Sequence, residues 1–473
     1  MSIPDPETPN PSDLRVTVMG LGLNGGGLAS ARFFASRGAS VTVTDMKDEK
    51  ALAESLAALE GLPIRFVLGR HEMEDFSGAD LVIKNPAVRA DSPYLAAAKA
   101  VETDISTFLR YCPAPVAAVT GSKGKSTTAS ALAHALSSGG TTFLGGNITV
   151  SPLTFLDRVR ADTPVVLELS SWQLGDLRGR RLLKPRVAVL TRIVPDHLDR
   201  YPSMEAYVAD KRLLYADQDR SCFTVCDRDD PYGRSFGEET PGSPRWYGDS
   251  LEPGLPGAWF SGPVGVCRDP SGRVEEILPE RLRVPGPHAR RNLLAAALGA
   301  RLMGGEASGI YRALGDFPGV EHRLEMFLES GGVRFCNDSA ATVPQAVEAA
   351  LLAFDTPTVL ITGGTDKNLD FVPVRAAYRR AKAVVLLAGT GSEKLRALLD
   401  EDGVPYEGPY DDLEKAVRKA REKAVPGDTV LLSPGCTSFG MFRNEFDRGR
   451  KFKECATRLT GETAPGIGLR EAE

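Results

Sequence analysis

Residues 120–128 read Thr-Gly-Ser-Lys-Gly-Lys-Ser-Thr-Thr, between the apolar run Pro115–Val119 and the helical pattern Ala129–Leu136. A buried strand that ends in a Gly-rich turn and enters a helix can cradle an anion. Its backbone N–H groups approach closely, and the helix N-terminus adds a partial positive charge. In such a turn Lys125 reaches the β/γ-phosphates and the Ser126 hydroxyl sits on Mg²⁺. Gly121, Ser122, Lys123, Gly124, Lys125, Ser126 and Thr127 are thus candidate contacts of a nucleoside triphosphate. The GxxGKS spacing is shorter than the usual phosphate loop, so a plain strand–turn–helix connection is the competing reading. The strand before the turn and the Ser-Thr-Thr after it favour the phosphate.

A second glycine turn lies near the N-terminus. The expected strand Arg15–Met19 runs into Gly20-Leu-Gly22-Leu-Asn-Gly25, a helix over Leu28–Ser36 and a strand Ser40–Thr44 that ends at Asp45. A GxGxxG turn with an acidic residue about twenty positions on is the signature of a dinucleotide-type βαβ unit. Taken alone it suggests a nicotinamide dehydrogenase. That reading leaves the phosphate loop unexplained, whereas a domain holding the nucleotide-diphosphate part of a substrate accounts for both turns.

Other residues could add metal chemistry. Glu168 closes the strand Val165–Leu169, which is expected to run parallel to the one feeding the phosphate loop. Strand ends of a parallel sheet gather on one edge, so this carboxylate can share a Mg²⁺ with Ser126. His197, one of five histidines, lies in the polar turn Pro195–Tyr201 after the strand Arg186–Leu190; a solvated or capping histidine is the bland alternative. Lys211 falls in the helical stretch Met204–Tyr215 and by pattern alone is a solvated surface lysine.

These residues need a scaffold, and β-branched runs alternating with Ala/Leu/Arg-rich stretches supply one. Three α/β blocks are expected, over residues 1–112, 113–317 and 318–473, with hinges at Cys112–Pro115 and Phe317–Gly319. The third block carries strands at Thr358–Thr362, Ala383–Leu387 and Thr429–Leu432, and Thr240–Gly272 reads as loops or a small irregular sheet. The 473 residues are too many for one core. A net charge of -5 without a basic tract argues against nucleic acid. No apolar run approaches a membrane span, no signal peptide is visible, and the seven cysteines are scattered. A cytoplasmic enzyme with reduced thiols is expected.

The ordered series TGSKGKSTT, ELSSWQL, DHLDRY with a following lysine, GPHARRN, HRLE, NDSAAT and SPGCTSFGMF resembles the Mur ligase family, from about Val16 to Phe452. ELSSWQL, DHLDRY and SPGCTSF are similar to its D-glutamate-adding branch. The resemblance implies three α/β domains: a Rossmann-like N-terminal domain for the uridine diphosphate substrate, a central ATPase-like domain with a mainly parallel sheet, and a Rossmann-like C-terminal domain for the amino acid. It implies that ATP activates the carboxylate of UDP-N-acetylmuramoyl-L-alanine as an acyl phosphate, which the amine of D-glutamate attacks.

By the same resemblance Lys125, His197 and Lys211 are catalytic, with Lys211 carbamylated. Ser126 and Glu168 hold one Mg²⁺, and His197 and Lys211 a second. Leu23, Asn24, Asp45 and Asn147 match the nucleotide-substrate contacts. Asn292, Arg323 and Asp338 match adenine, phosphate and ribose contacts, while Thr342, Lys367, Ser438 and Phe439 match the D-glutamate pocket. A cytoplasmic monomer of peptidoglycan precursor synthesis is implied, with only small molecules as partners. A Mur-type ligase adding another amino acid, such as L-glutamate, is the alternative within the family. Four departures stand out: Ala340 in place of the usual lysine of NDSKAT, Ala289 in GPHARRN, Asn85 in the turn after Lys84, and Thr149 in place of glycine.

Overall fold

The computed structural model describes residues 10–462, apart from 23–24, 87, 90, 149, 197–200, 270 and 368. Three sheets follow one another along the chain. In the first, the strands lie in spatial order Ile64–Leu68, Ser40–Asp45, Arg15–Met19, Leu81–Lys84 and Val101–Glu102. All four pairings are parallel. Arg15–Met19 fills with Val16 and Val18 because a parallel strand is covered on both faces.

The helix after it, Gly26–Ala35, starts on Gly25 at φ 84. Gly27, the second residue of that helix, lies so close to the glycine turn that a Cβ there would sit 2.2 Å from the Gly20 carbonyl oxygen and 2.5 Å from that of Leu21. The close backbone approach at this turn thus falls on Gly27 as well as on the motif's own glycines.

Among the described residues the second sheet has nine strands. Val116–Thr120 lies between Val165–Glu168 and Val187–Leu190, parallel to both. Phe143–Gly146 closes one edge, and Phe223–Asp227 continues the other side. The segment Thr240–Gly272 is a correction to the sequence reading. Instead of an irregular patch, Ser243–Gly248, Gly257–Ser261 and Val264–Arg268 extend the same sheet, followed by Val274–Leu278. The last two pairings turn antiparallel. Gly254, Gly262 and Gly272 all have positive φ at the turns, so the glycines punctuate strands whose buried Trp246, Tyr247, Ala258, Val266 and Cys267 make the core.

These two sheets belong to one compact unit, residues up to Glu280 together with Asn292–Leu314, and the 112–115 connection lies inside it. A single cluster of buried apolar side chains runs from Val16 and Val18 to Leu167, Leu190 and Trp246. Residues Arg281–Arg291 and Gly315–Glu473 form the second unit. Its sheet runs Glu325–Ser330, Val333–Asn337, Thr429–Leu432, Thr358–Thr362, Ala383–Leu387 and Tyr406–Tyr410, parallel except for the first pair. Alternate side chains serve its two faces: Val359, Ile361 and Leu432 pack on one, Leu360, Leu386 and Leu431 on the other. Three α/β domains with mainly parallel sheets are therefore present, as expected. Of the third sheet's strands, the sequence reading had missed the hairpin Glu325–Asn337 and the edge strand Tyr406–Tyr410.

Gly27→Ala should lose about 1–3 kcal/mol of stability, the usual cost of forcing an atom into filled space. Denaturant unfolding checks this, and an unchanged midpoint would contradict the tight contact between the helix and the glycine turn.

Candidate active site

The central sheet delivers its chemistry by register. Val119 pairs with Glu168, Thr120 with Leu190 and Gly146 with Glu168, so the C-terminal ends of the strands emerge on one edge. The phosphate turn starts there. Gly121 accommodates Thr191: a Cβ at 121 would lie 1.9 Å from the Thr191 hydroxyl oxygen. Gly124 takes φ 92 as the residue before the helix Lys125–Ser137, and a Cβ there would lie 2.4 Å from Asn292 Oδ1. Asn292, expected at the adenine, thus packs directly against the turn.

Side chains of the turn divide by task. Ser122 is buried, and its hydroxyl donates to the Val194 carbonyl at 2.9 Å while accepting from Val194 N–H and from the Tyr207 hydroxyl. Its hydroxyl is a tie to neighbouring segments, which is a structural task the sequence did not show. Lys123 is exposed and pairs with Asp196 at 3.3 Å. Lys125 folds back to donate to the Gly121 and Ser122 carbonyls, both at 3.0 Å. Ser126 and Thr127 are half-buried at the start of the helix.

Glu168 is 1% exposed. Its Oε1 accepts from Asn147 Nδ2 at 2.9 Å, and its Oε2 is buried without a hydrogen-bond partner. A buried carboxylate oxygen left unpaired is costly, and a divalent cation is the partner such an oxygen suits. These residues therefore fit the Mg²⁺ that the sequence implies. Lys211, a surface lysine by pattern, is 1% exposed. It lies over the Tyr207 ring at 4.4 Å and donates to the Gly121 carbonyl at 2.8 Å. Burial, aided by the nearby Lys125 charge, pushes its pKa down to about 7. Near neutrality much of this amine is therefore unprotonated and nucleophilic. The helical stripe Tyr207, Val208 and Lys211 carries the signal, since residues three and four apart share one buried face. His197 lies outside the described residues, as do Leu23 and Asn24.

In the first sheet the Asp45 carboxylate accepts from Gly22 N–H at 3.1 Å and Lys47 N–H at 2.9 Å. It fastens the glycine turn. The second unit holds two further groups. Asp338 accepts from Leu324 N–H at 3.2 Å and from the Ser433 hydroxyl at 2.8 Å, next to the exposed Arg323. Burial pushes the Asp338 carboxyl up to about 7 against the lowering effect of Ser433. Lys367 stands over the Phe439 ring at 5.3 Å, beside buried Ser438, while Thr342 is half-buried before the helix Pro344–Leu352. Sequence reasoning had also passed over Arg448. It is fully buried and donates to the Ser339 hydroxyl, the Ser339 carbonyl and the Cys436 carbonyl at 2.8–3.2 Å.

Three family models match in chain order: the Mur ligase MurD-like N-terminal domain over residues 14–107, the Mur ligase middle domain over 119–300 and the Mur ligase glutamate ligase domain over 322–436. A UDP-N-acetylmuramoylalanine--D-glutamate ligase of Roseiflexus sp. (strain RS-1) is 45% identical, over 94% of this chain and 99% of that protein. The chain belongs to the Mur ligase family. A second ligase of that name, from Treponema pallidum, is 40% identical over 93% of this chain and 96% of its own length.

Among solved structures, the UDP-N-acetylmuramate-alanine ligase of Thermotoga maritima superposes with a TM-score of 0.59 at 21% identity, covering 94% of this chain and all of that one. The MurF ligase of the same organism, in complex with ADP, gives 0.54 at 17%, over 89% and 95%. These two likenesses speak to the fold. Family membership removes the dehydrogenase reading, since the GxGxxG turn lies within the N-terminal Mur ligase match.

In this Mur ligase, Gly124→Ala imposes both a left-handed backbone and a clash with Asn292. Calorimetric titration with a non-hydrolysable ATP analogue should show affinity weakened by roughly tenfold or more, about 1.4 kcal/mol. Unchanged affinity would contradict a phosphate cradle at this turn.

Proposed function

We propose that this chain joins D-glutamate to UDP-N-acetylmuramoyl-L-alanine, converting ATP to ADP and phosphate. The observation that carries the reading is near-full-length identity of 45% and 40% with two relatives bearing that ligase name. The buried Lys211 and the buried Glu168, one of whose carboxylate oxygens has no partner, lie beside the phosphate turn and support it.

The substrate carboxylate attacks the γ-phosphorus, an acyl O–P bond forms, and the bridging P–O bond to ADP breaks. The amine of D-glutamate then attacks the acyl carbon, loses a proton, and expels phosphate. Positioning and charge neutralisation dominate such a reaction. Lys125 leaves its turn carbonyls for the phosphates, whose oxygens accept more strongly than neutral carbonyls. Backbone N–H groups at the start of Lys125–Ser137 face the same anion. Asn292, Arg323 and Asp338 serve adenine, phosphate and ribose; the forked guanidinium of Arg323 suits a phosphate.

Leu23, Asn24, Asp45 and Asn147 serve the uridine diphosphate side. Thr342, Lys367, Ser438 and Phe439 receive D-glutamate, with Lys367 facing its side-chain carboxylate. Ser126, Glu168, His197 and a carbamate on Lys211 would hold two Mg²⁺ ions, which when bound neutralise phosphate charge. The carbamate forms when the neutral Lys211 amine adds to CO₂ and releases one proton. It replaces a cation by a hard oxygen ligand.

Among the described residues no helix is long and apolar enough to cross a membrane. We place the reaction in the cytoplasm, on a monomer.

ADP release in the presence of UDP-N-acetylmuramoyl-L-alanine tests the reading directly. D-Glutamate should support turnover, and D-glutamine or L-alanine should be poor because they leave Lys367 without a partner. Equal kcat/KM for D-glutamate and L-alanine would overturn the assignment.

Arginine cannot form the carbamate, so Lys211→Arg should cost on the order of 10²-fold or more in turnover while an ATP analogue still binds. Acetate should restore part of the activity. Depleting CO₂ should silence the wild-type enzyme reversibly. Because Lys211 is protonated below its pKa of about 7, reactivation by CO₂ should be slower at pH 6 than at pH 8. Full activity of Lys211→Arg would refute the carbamate.

A further inference from the structure

The turn that carries Arg323 has a backbone its residues disfavour. His322 and Leu324, on either side of it, adopt φ 64 and φ 45. The left-handed region is unfavourable for side chains of this size, so such a turn persists only where its surroundings over-determine it. Here they do. Glu325, 1% exposed, accepts at Oε2 from His322 N–H at 3.0 Å and from Asn337 Nδ2 at 2.9 Å. Asn337 Nδ2 also lies 2.9 Å from His322 Nδ1, and Ala340 N–H donates to the His322 carbonyl.

Lys453, from the helix Glu445–Thr460, donates to Glu325 Oε1 at 2.8 Å and to Glu321 Oε1 at 2.9 Å. On the same helix, Gly449 makes room for the imidazole: a Cβ there would lie 2.2 Å from His322 Nδ1. Glu321, His322 and Glu325 are close enough together to share a metal ion, but the Lys453 ammonium already bridges the two carboxylates.

Every part of this network is buried or half-buried except the side chains at its outer rim. Arg323 is exposed and makes no ion pair among the described residues. The strain therefore has a direction: two flanking residues are pinned inward and the guanidinium between them is turned out. A glycine or asparagine on either side would make the turn cheaply. A network that enforces it on His and Leu is the expected mark of a side chain whose aim matters.

We propose that Glu325, braced by Asn337 and Lys453, is a positioning residue that holds the turn at 322–324 and so presents the Arg323 guanidinium to the nucleotide's phosphate. This rests on the reading of Arg323 as a phosphate contact. The rival account is that Glu325 merely stabilises the hairpin it belongs to, where it pairs in register with Asn337.

A double-mutant cycle separates the two accounts. kcat and KM for ATP are measured for the wild type, Glu325→Gln, Arg323→Ala and the double variant. Arg323→Ala should lower kcat/KM for ATP by on the order of 10²-fold, and Glu325→Gln by roughly tenfold. The double variant should be no worse than Arg323→Ala alone, because without the guanidinium there is nothing left to aim. KM for D-glutamate should not change in Glu325→Gln.

Losses that multiply in the double variant would overturn the positioning role. Near-normal kcat/KM in Arg323→Ala would instead remove the phosphate reading beneath it. Should Glu325→Gln fail to fold, Gly449→Ala displaces the His322 ring from the opposite side and enters the same cycle with the same expectation.

Discussion

The parallel ladder around Val116–Thr120 is the constraint on which the rest of the catalytic unit depends. With Val165–Glu168 on one side and Val187–Leu190 on the other, in the same direction, the chain has to leave all three strands at one edge. The segments leaving them must then share a small volume. Thr191 leaves no space for a side chain at 121, and Asn292 leaves none at 124. Gly146, at φ 101, would place a Cβ 2.2 Å from the Glu168 carbonyl. The glycines of this edge are consequences of strand register, and the backbone N–H groups they expose are what an anion can use.

The same crowding sets the electrostatics. Removing water from Lys211 disfavours its ammonium, and removing water from Glu168 leaves one carboxylate oxygen without a partner. A protein selected for stability alone would not bury a lysine amine and a half-paired carboxylate near one loop. Both defects are of the kind that ligands correct. In the function proposed above, a carbamate would answer the first by exchanging the positive charge for a negative one, and a divalent cation would then answer the second. In the second unit the defect is conformational, two left-handed residues around Arg323, and the compensation is covered within the protein by Glu325, Asn337 and Asp338.

Much of this was legible in the sequence, for identifiable reasons. β-Branched runs such as Val165–Leu169 and Thr358–Thr362 sit inside parallel sheets, so their apolar continuity marks them without help from neighbours. The turn at 120–128 announces itself through glycine spacing. Lys211 was misread by local pattern because a single lysine in a polar helix carries no information about what packs on it; the information lay in Tyr207 and Val208 beside it. The strands between 243 and 268 were hidden by the glycines and prolines of their own turns. Contacts far apart in sequence, such as Ser122 with Tyr207 or Asp338 with Leu324, have no local signature at all.

Ala340 shows how a departure from a family motif can be judged physically. Losing the usual lysine there removes a cation near the proposed amino-acid pocket, and the question is whether the pocket's frame goes with it. The frame is held by another cation. Arg448 is fully buried and ties Ser339, the residue before Ala340, to Cys436 at the base of the loop that carries Ser438 and Phe439. Burial lowers its pKa only to about 10, so it stays charged near neutrality. With the two loops fastened from beneath, the frame does not depend on a side chain at 340, whose backbone N–H is what bonds the His322 carbonyl. The effect of alanine there is confined to what a side chain at 340 could offer a bound carboxylate, and in the proposed pocket Lys367 over Phe439 is an exposed cation that would meet it.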